Sequence, residues 1–228
     1  MEKNNKLGRE IDLFDAYPKS KRPIEERCQT VTEADKGIAK EFGKEYFDGS
    51  RNQGYGGYNY DPRFFQPVIK RIQNYYNLTS ESNVLDVGCG KGFMLHDFRE
   101  LIPGIRVAGI DISEYAIEQA MPDVKPLLKV ANAKGLPFPD NSFDLVLSIN
   151  TIHNIDLEGC KNALREIERV SKRHKFIIVD SWRNEKEHEL MGKWNLTALT
   201  YFGTDGWKKL FKEVGYTGDF YWFLATTA

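Results

Sequence analysis

Val84-Leu85-Asp86-Val87-Gly88-Cys89-Gly90-Lys91-Gly92 is the stretch whose reading decides the fold. Val84, Leu85 and Val87 are strand formers in a short apolar run. Gly88, Gly90 and Gly92 then remove side chains over one tight turn, where the backbone can adopt positive φ and a ligand can lie directly on it. From Phe93 to Leu101 the apolar residues Phe93, Met94, Leu95, Phe98 and Leu101 recur at helical spacing. A strand, a glycine turn and a helix opening form a nucleotide-binding corner at the C-terminal edge of a parallel sheet.

Glycine spacing narrows the ligand. The pattern is G-x-G-x-G, not the G-x-G-x-x-G of the pyrophosphate fingerprint, and no Ser or Thr follows Lys91 as a P-loop requires. Asp86 stands two positions before the first glycine. Its carboxylate would repel a pyrophosphate and suit an ammonium group. The bland alternative is a purely structural turn.

Two further stretches fill in the corner. Arg106-Val107-Ala108-Gly109-Ile110-Asp111-Ile112-Ser113 is a second apolar run ending in a carboxylate, and Asp111 lies 19 residues after Gly92. That distance completes one helix and the neighbouring strand, so Asp111 can accept both hydroxyls of a ribose. It could also serve as an acid at the N-terminus of the helix expected over 114–121. The third stretch runs from Val130 through Asn132-Ala133, Leu136-Pro137-Phe138 and Ser142-Phe143-Asp144 into the strand Leu145-Val146-Leu147-Ser148-Ile149.

In the order and spacing of these three motifs, residues 60–182 resemble a class I S-adenosylmethionine-dependent methyltransferase of the small-molecule type. The resemblance implies S-adenosyl-L-methionine as cofactor and S-adenosyl-L-homocysteine as product. It implies that the Gly88–Gly92 loop packs against the methionine part and ribose, that Asp111 holds the ribose hydroxyls and that Ile112 also contacts the cofactor. Asn132 would take the place of the family's more common acid at the adenine amino group, and the Ala133 amide would face an adenine ring nitrogen. An amide oxygen still accepts from an exocyclic amine. The backbone at Asn150 would take the cofactor ammonium.

The acceptor side is less determined. Tyr46 to Asp61 packs four glycines and four tyrosines into 16 residues. Tyrosine pairs an apolar face with a polar tip, and aromatic faces attract a sulfonium cation. The segment reads as a lid, with Tyr46 and Tyr58 at the cofactor, although tyrosines merely covering the sheet edge are the alternative. His153, Asp180 and Tyr58 are the candidate catalytic residues. His153 could equally be a histidine packed under the next helix. At the end of the fifth strand Trp182 could stack on an acceptor and Arg183 could pair with a carboxylate or phosphate. Trp194, Asn195 and Thr197 are expected to fold back above them, and Trp207 reads as core.

The expected architecture is α/β: a Rossmann-like, mostly parallel sheet with helices on both faces, preceded by an N-terminal helical and Tyr/Gly lid extension. The extension spans 1–60 and the methyltransferase domain 61–228. Residues 1–12 read as a loose polar tail and Thr32–Tyr46 as one helix capped by Thr32. Strands are expected at 83–88, 106–111, 126–130, 143–149, 175–181 and 220–227. Helices are expected at 64–76, 92–101, 114–121, 158–172, 185–201 and 205–215. Only 13 residues follow Gly215. That leaves room for one long strand or two very short ones, where the resembled family has two.

A formal net charge of −1 gives no electrostatic footprint for nucleic acid. The basic run Lys19-Ser20-Lys21-Arg22 reads as a solvated turn. Cys28, Cys89 and Cys160 lack metal-ligand spacing, so no metal is expected, and an odd count without a signal peptide points to the cytoplasm. No apolar stretch is long enough for a membrane span. The expected partner is a small-molecule acceptor, without nucleic acid or membrane, on a monomer or homodimer. The acceptor atom is O or N, on a saccharide or phosphorylated metabolite. Two other functions compete: a non-catalytic S-adenosylmethionine or S-adenosylhomocysteine binder, and an NAD-linked oxidoreductase, which the glycine spacing and Asp86 disfavour.

Overall fold

A computed structural model describes residues 6–19 and 24–225. Its centre is a six-stranded sheet: β1 (Asn83–Val87), β2 (Arg106–Asp111), β3 (Leu128–Val130), β4 (Phe143–Ile149), β5 (Ser171–Asp180) and β6 (Asp219–Phe223), in the order β3-β2-β1-β4-β5-β6. All five pairings are parallel. The chain reverses its direction of growth between β1 and β4, so the C-terminal ends of these two strands frame the crevice where open α/β sheets bind ligands. Leu145, Val146 and Leu147 of β4 are all buried. Both faces of that strand are covered, as a near-continuous apolar run requires.

Helices cover the two faces. On one lie α4 (Pro62–Tyr76) and α5 (Phe93–Leu101), on the other α7 (Leu157–Val170) and α9 (Thr204–Val214). α4 begins as its sequence dictates: the Asp61 side chain accepts from the Arg63 amide and Pro62 stands in the first turn. α7 buries Cys160, Ala163, Leu164, Ile167 and Val170, the stripe of an amphipathic helix. Truncating Ile167 to Ala there should cost about 2–5 kcal/mol of stability.

Several expected boundaries move. The Thr32–Tyr46 helix splits into α2 (Glu33–Ala39) and α3 (Lys44–Asp48), because Phe42 turns to φ +51 between them. That turn brings the Phe42 carbonyl to the Ser113 hydroxyl at 2.5 Å. The helix after Asn184 is α8 (Glu185–Trp194) and stops seven residues early. Asn195 turns its side-chain oxygen onto the Ala198 amide, and the chain leaves the helix to lie over His153. The helix after β2 is only α6 (Glu114–Glu118). β5 begins at Ser171, directly at the end of α7, because Ser171 pairs with Phe143.

Among the described residues one strand follows α9. β6 runs parallel to β5 and ends at Phe223, and residues 226–228 of the longer expected strand lie outside the described residues. Its outer edge is not bare. The Ile11 amide donates to the Phe220 carbonyl and the Phe220 amide to the Arg9 carbonyl. Leu13, 1% exposed, packs into the same cluster as Val68 and Ile69. The described part of the polar tail is therefore fastened along the sheet edge, which protects an edge strand from pairing elsewhere. Residues 1–5 and the Ser20–Arg22 part of the basic run lie outside the described residues. Among the described residues no helix is long and apolar enough to cross a membrane.

The N-terminal helices complete the C-terminal edge. α1 (Ile24–Thr30) packs on α8, and α3 leads into the Tyr/Gly segment that crosses the glycine loop.

Candidate active site

The glycine loop leaves β1 with three left-handed residues, Gly88 at φ +89, Gly90 at +53 and Gly92 at +75. At Gly88 a Cβ would stand 2.1 Å from the Thr151 hydroxyl. The loop is thus seated on the turn that follows β4, and only glycine fits there. A Cβ on Gly90 would meet the Phe47 ring at 3.4 Å, so the lid lies directly over the loop.

Two carboxylates organise this half. Asp111 accepts from the Gly90 amide at 2.7 Å and from the Ser113 amide at 2.9 Å, tying the tip of β2 to the loop. Burial raises its pKa, and the amides of Ser113, Gly90 and Ile112 oppose that rise. Asp86, 3% exposed, has a side-chain oxygen with no hydrogen-bond partner. Burial, with the neighbouring Asp111 charge, pushes its carboxyl up to about 8. A buried carboxyl with an orphaned oxygen favours a cation that arrives to pair with it.

Beyond Asp111 the surface turns apolar. Ile112 is 54% and Val130 49% exposed, large apolar side chains at the tips of adjacent strands. Such exposed faces suit a flat ring. Asn132 lies exposed beside them, its side-chain oxygen accepting from the Lys134 amide at 3.0 Å, and Ala133 is buried. Asn150 follows β4 at φ +53, a conformation that Asn tolerates. Its amide donates to the Ile178 carbonyl, and its own carbonyl accepts from the Asn154 side chain.

The β4–β5 half is built differently. His153 is 3% exposed. Its Nδ1 accepts from the Asp180 amide at 3.2 Å, which places the ring proton on Nε2, 3.6 Å from Asp180 Oδ2. Burial lowers the imidazole pKa, opposed by Asp180, and raises the Asp180 carboxyl, opposed by His153. Both directions favour neutral partners. The His153 carbonyl accepts from the Leu199 and Thr200 amides, fixing the chain beyond α8 across it. Asp180 also lies within electrostatic reach of Tyr46 and Tyr55, and Tyr46 within reach of Asp111 as well. Burial raises both phenols, Tyr55 to about 12. Tyr46 thus spans the two halves.

The lid is held by specific contacts. Lys91, inside the glycine loop, donates to Asp48 Oδ1 at 2.6 Å and to the Tyr58 carbonyl at 2.9 Å. The Tyr115 hydroxyl donates to the other Asp48 oxygen at 2.7 Å. Tyr58 turns its hydroxyl onto the Ser50 carbonyl, so its backbone rather than its phenol meets the glycine loop. Tyr60 donates to the buried Asp97 of α5 at 2.6 Å. Arg27 of α1 donates to the carbonyls of Arg51 and Gly54.

The expected outer wall is rearranged. Trp182 stacks on His188 at 4.2 Å between centroids, and Arg183 is exposed. Trp194 packs against Tyr55 instead, and Thr197 donates to Asn154. Trp207 is fully buried and donates to the Asp180 carbonyl. Sequence reasoning passed over Lys91, Phe47, Thr151 and Arg27. Lys91 sits inside the motif itself and could have been read as a tether, since no phosphate-binding pattern claims it. The others carry no periodic signal.

Comparison with known proteins bears on the fold. Residues 85–179 match the family model described as a methyltransferase domain. A tRNA (carboxymethyluridine(34)-5-O)-methyltransferase of Arabidopsis thaliana is 33% identical over 127 residues, 55% of this chain and 30% of that protein. A demethylmenaquinone methyltransferase of Symbiobacterium thermophilum is 39% identical over 98 residues, 40% of this chain and 38% of that protein. The chain thus spans well under two thirds of the length of these relatives. The fold is that of the geranyl diphosphate C-methyltransferase of Streptomyces coelicolor A3(2), solved with Mg2+, geranyl diphosphate and S-adenosyl-L-homocysteine. The TM-score is 0.54 at 14% identity, over 66% of this chain and 61% of that one.

Proposed function

We propose that the chain is a class I methyltransferase that transfers a methyl group from S-adenosylmethionine to an O or N atom of a small molecule, the match of residues 85–179 to a methyltransferase domain supporting that premise. The observation that carries the reading is the unpartnered oxygen of buried Asp86 beside an Asp111 already tied to Gly90. Asp86 would hold the cofactor ammonium. Asp111 has lone pairs left for the ribose hydroxyls. Ile112 and Val130 would flank the adenine, with Asn132 and the Ala133 amide at its polar edge.

When bound, the cofactor supplies an electrophilic methyl group on a sulfonium. The residues of the chain hold the acceptor in line, with reacting atoms about 3–3.5 Å apart, and keep water away. Phe47 and Tyr46 form the wall next to the glycine loop. Where the acceptor must lose a proton, Asp180 is the base this geometry favours. It would act in its ionised form, where burial, which raises its pKa, makes it a stronger base than an exposed carboxylate, and it lies within electrostatic reach of Tyr46. His153 would position it, its Nδ1 accepting from the Asp180 amide and its Nε2 facing the carboxylate at 3.6 Å. The acceptor would be a saccharide or a phosphorylated metabolite lying against the rings of Phe47, Tyr46 and Tyr55.

Two other readings rest on specific observations. The Arabidopsis relative's name gives tRNA as its substrate; the near-zero net charge of this chain speaks against a nucleic-acid acceptor. A binder without catalysis would also explain the donor half alone. Calorimetry with S-adenosylhomocysteine and with NAD tests the cofactor. Release of S-adenosylhomocysteine in the presence of a metabolite library, with bulk tRNA as a separate arm, tests the acceptor. Tight binding of NAD in place of S-adenosylhomocysteine would overturn the proposal. Turnover on tRNA alone would overturn its small-molecule part.

A further inference from the structure

Arg27 is the least explained charge near the site. It is only 6% exposed, and among the described residues it forms no ion pair. Its guanidinium lies over two rings, 5.4 Å from the Tyr55 centroid and 4.9 Å from that of Trp194. Two of its nitrogens donate to lid carbonyls, and the third, Nε, is buried without a partner. The nearby Arg51 adds like charge and also forms no ion pair among the described residues. Aromatic faces and carbonyls offset part of the cost of burying a cation, but not the absence of a counter-charge.

Its place in the fold gives that charge a direction. A wall of rings runs outward from the glycine loop. Phe47 faces Gly90, Tyr46 lies 5.0 Å from Phe47, and Tyr55 lies 6.2 Å from Tyr46. Arg27 caps the far end of this wall. The Tyr55 hydroxyl accepts from the Leu196 amide at 2.7 Å, which joins the same end to the chain that crosses His153. From the methyl donor outward, the acceptor side offers phenol and phenyl faces first and a forked cation last.

We propose that the acceptor carries an anionic group, a carboxylate or a phosphate, and that Arg27 receives it while the body of the acceptor lies along Phe47, Tyr46 and Tyr55. The assignment rests on the methyltransferase reading of the same site. It moves the anion-binding role from the exposed Arg183 to a buried arginine with donors to spare, since Nε–H has no partner and each terminal nitrogen keeps one N–H beyond the carbonyl it holds. Because the same guanidinium holds the carbonyls of Arg51 and Gly54, an anion at Arg27 also closes the lid behind it.

The test uses the full chain saturated with S-adenosylhomocysteine, with benzoate and phenyl phosphate as anionic probes and benzamide as their neutral match. Chemical-shift titration should show the anions binding at least about tenfold more tightly than benzamide, the equivalent of one charge-assisted hydrogen bond. The two anions differ in which binds better, and that order says whether the acceptor is a carboxylate or a phosphate. Arg27→Gln should abolish the preference and leave S-adenosylhomocysteine affinity within about a factor of two. In the wild-type protein the Arg27 Nε–H resonance, assigned by its absence from Arg27→Lys, should move with the anions and not with benzamide. That arm holds even if Arg27→Gln fails to fold. No preference in the wild type, a preference retained in Arg27→Gln, or an unmoved Nε–H signal would each overturn the proposal. Loss of S-adenosylhomocysteine binding by the wild type would instead overturn the methyltransferase reading on which it stands.

Discussion

The two halves of the sheet's C-terminal edge use buried carboxyls in opposite ways. At β1–β2, Asp111 is held by backbone amides and Asp86 is left with an unpartnered oxygen. At β4–β5, Asp180 and His153 face each other, with the Asp180 amide donating to Nδ1 and the carboxylate 3.6 Å from Nε2. Backbone amides are fixed donors, so the first half is organised before a ligand arrives. The second half is two side chains whose protonation can change. On the proposed function one half would hold a charge and the other exchange a proton, the division of labour that a donor site and an acceptor site require.

The largest effect that could break this comparison is expected at Asp180. Asp180→Asn keeps the shape and removes the proton acceptor. Turnover should fall about 10²–10⁴-fold with cofactor affinity nearly unchanged. His153→Gln should fall less and shift the pH–rate profile, since the imidazole acts through Asp180. Equal losses at both positions with an unshifted profile would make His153 the base. Full activity in Asp180→Asn would remove proton transfer from this half altogether.

Asp111→Ala is next. Two charge-assisted bonds to ribose hydroxyls disappear, costing roughly 1.5–3 kcal/mol, about 10- to 150-fold in S-adenosylhomocysteine affinity. Because Asp111 also holds the Gly90 amide, the dissociation rate should rise together with hydrogen exchange at Gly90. An unchanged affinity would sink the ribose assignment.

Asp86 sharpens the comparison through pH. Its folded pKa is raised to about 8, well above an unfolded value near 3.9. The folded protein therefore binds the extra proton, and its stability declines as pH rises from about 4 through 8. A cofactor ammonium reverses this by favouring the carboxylate. Binding S-adenosylhomocysteine at pH 7 should release close to one proton, read from how the calorimetric enthalpy varies with the ionisation heat of the buffer. Asp86→Asn should bind roughly tenfold more weakly, the equivalent of one pKa unit, without that release. Proton release that persists in Asp86→Asn would assign it to another group.

The donor half was legible in the sequence because backbone geometry has a residue signature. Gly88, Gly90 and Gly92 mark positive φ, Asp86 and Asp111 mark strand tips, and the spacing between them is the length of a helix and a strand. The parallel pairing of the strands followed from the alternation of strand and helix. The acceptor half was not legible to the same degree. The Tyr/Gly segment announced a lid, but its fastening depends on Arg27 and Lys91, single cations with no periodicity. The expected roles of Trp182 and Arg183 depended on where α8 would end. That end is set by Asn195 folding onto Ala198 and by Tyr55 reaching Leu196, contacts between distant segments. The pairing of Arg9–Ile11 with β6 was hidden for the same reason, since backbone hydrogen bonds place no demand on side-chain type.

The smallest expected effect tests how the two halves communicate. The lid spans both, and the link it makes to the donor half is the ion pair of Lys91 with Asp48. The two side chains are only 8% and 27% exposed, so solvent screens the pair less than a surface bridge. Asp48→Asn keeps the Tyr115 contact and the side-chain volume but loses the charge. Hydrogen exchange over residues 46–61 should speed up by about two- to tenfold in the free protein, the range of one ordinary hydrogen bond, because the amide oxygen of the variant can still accept from Lys91. If the lid closes over bound cofactor, S-adenosylhomocysteine should restore most of that protection, because Phe47 and Tyr46 gain a surface to cover. Restoration in the variant means that the ion pair only adds to a lid held by what lies beneath it. Failure to restore it would make Lys91 the element through which the glycine loop reports its occupancy to the acceptor side. Unchanged exchange in both states would show that the Tyr/Gly segment is an ordinary ordered loop, and the acceptor half would then have to be closed by the chain beyond α8 instead.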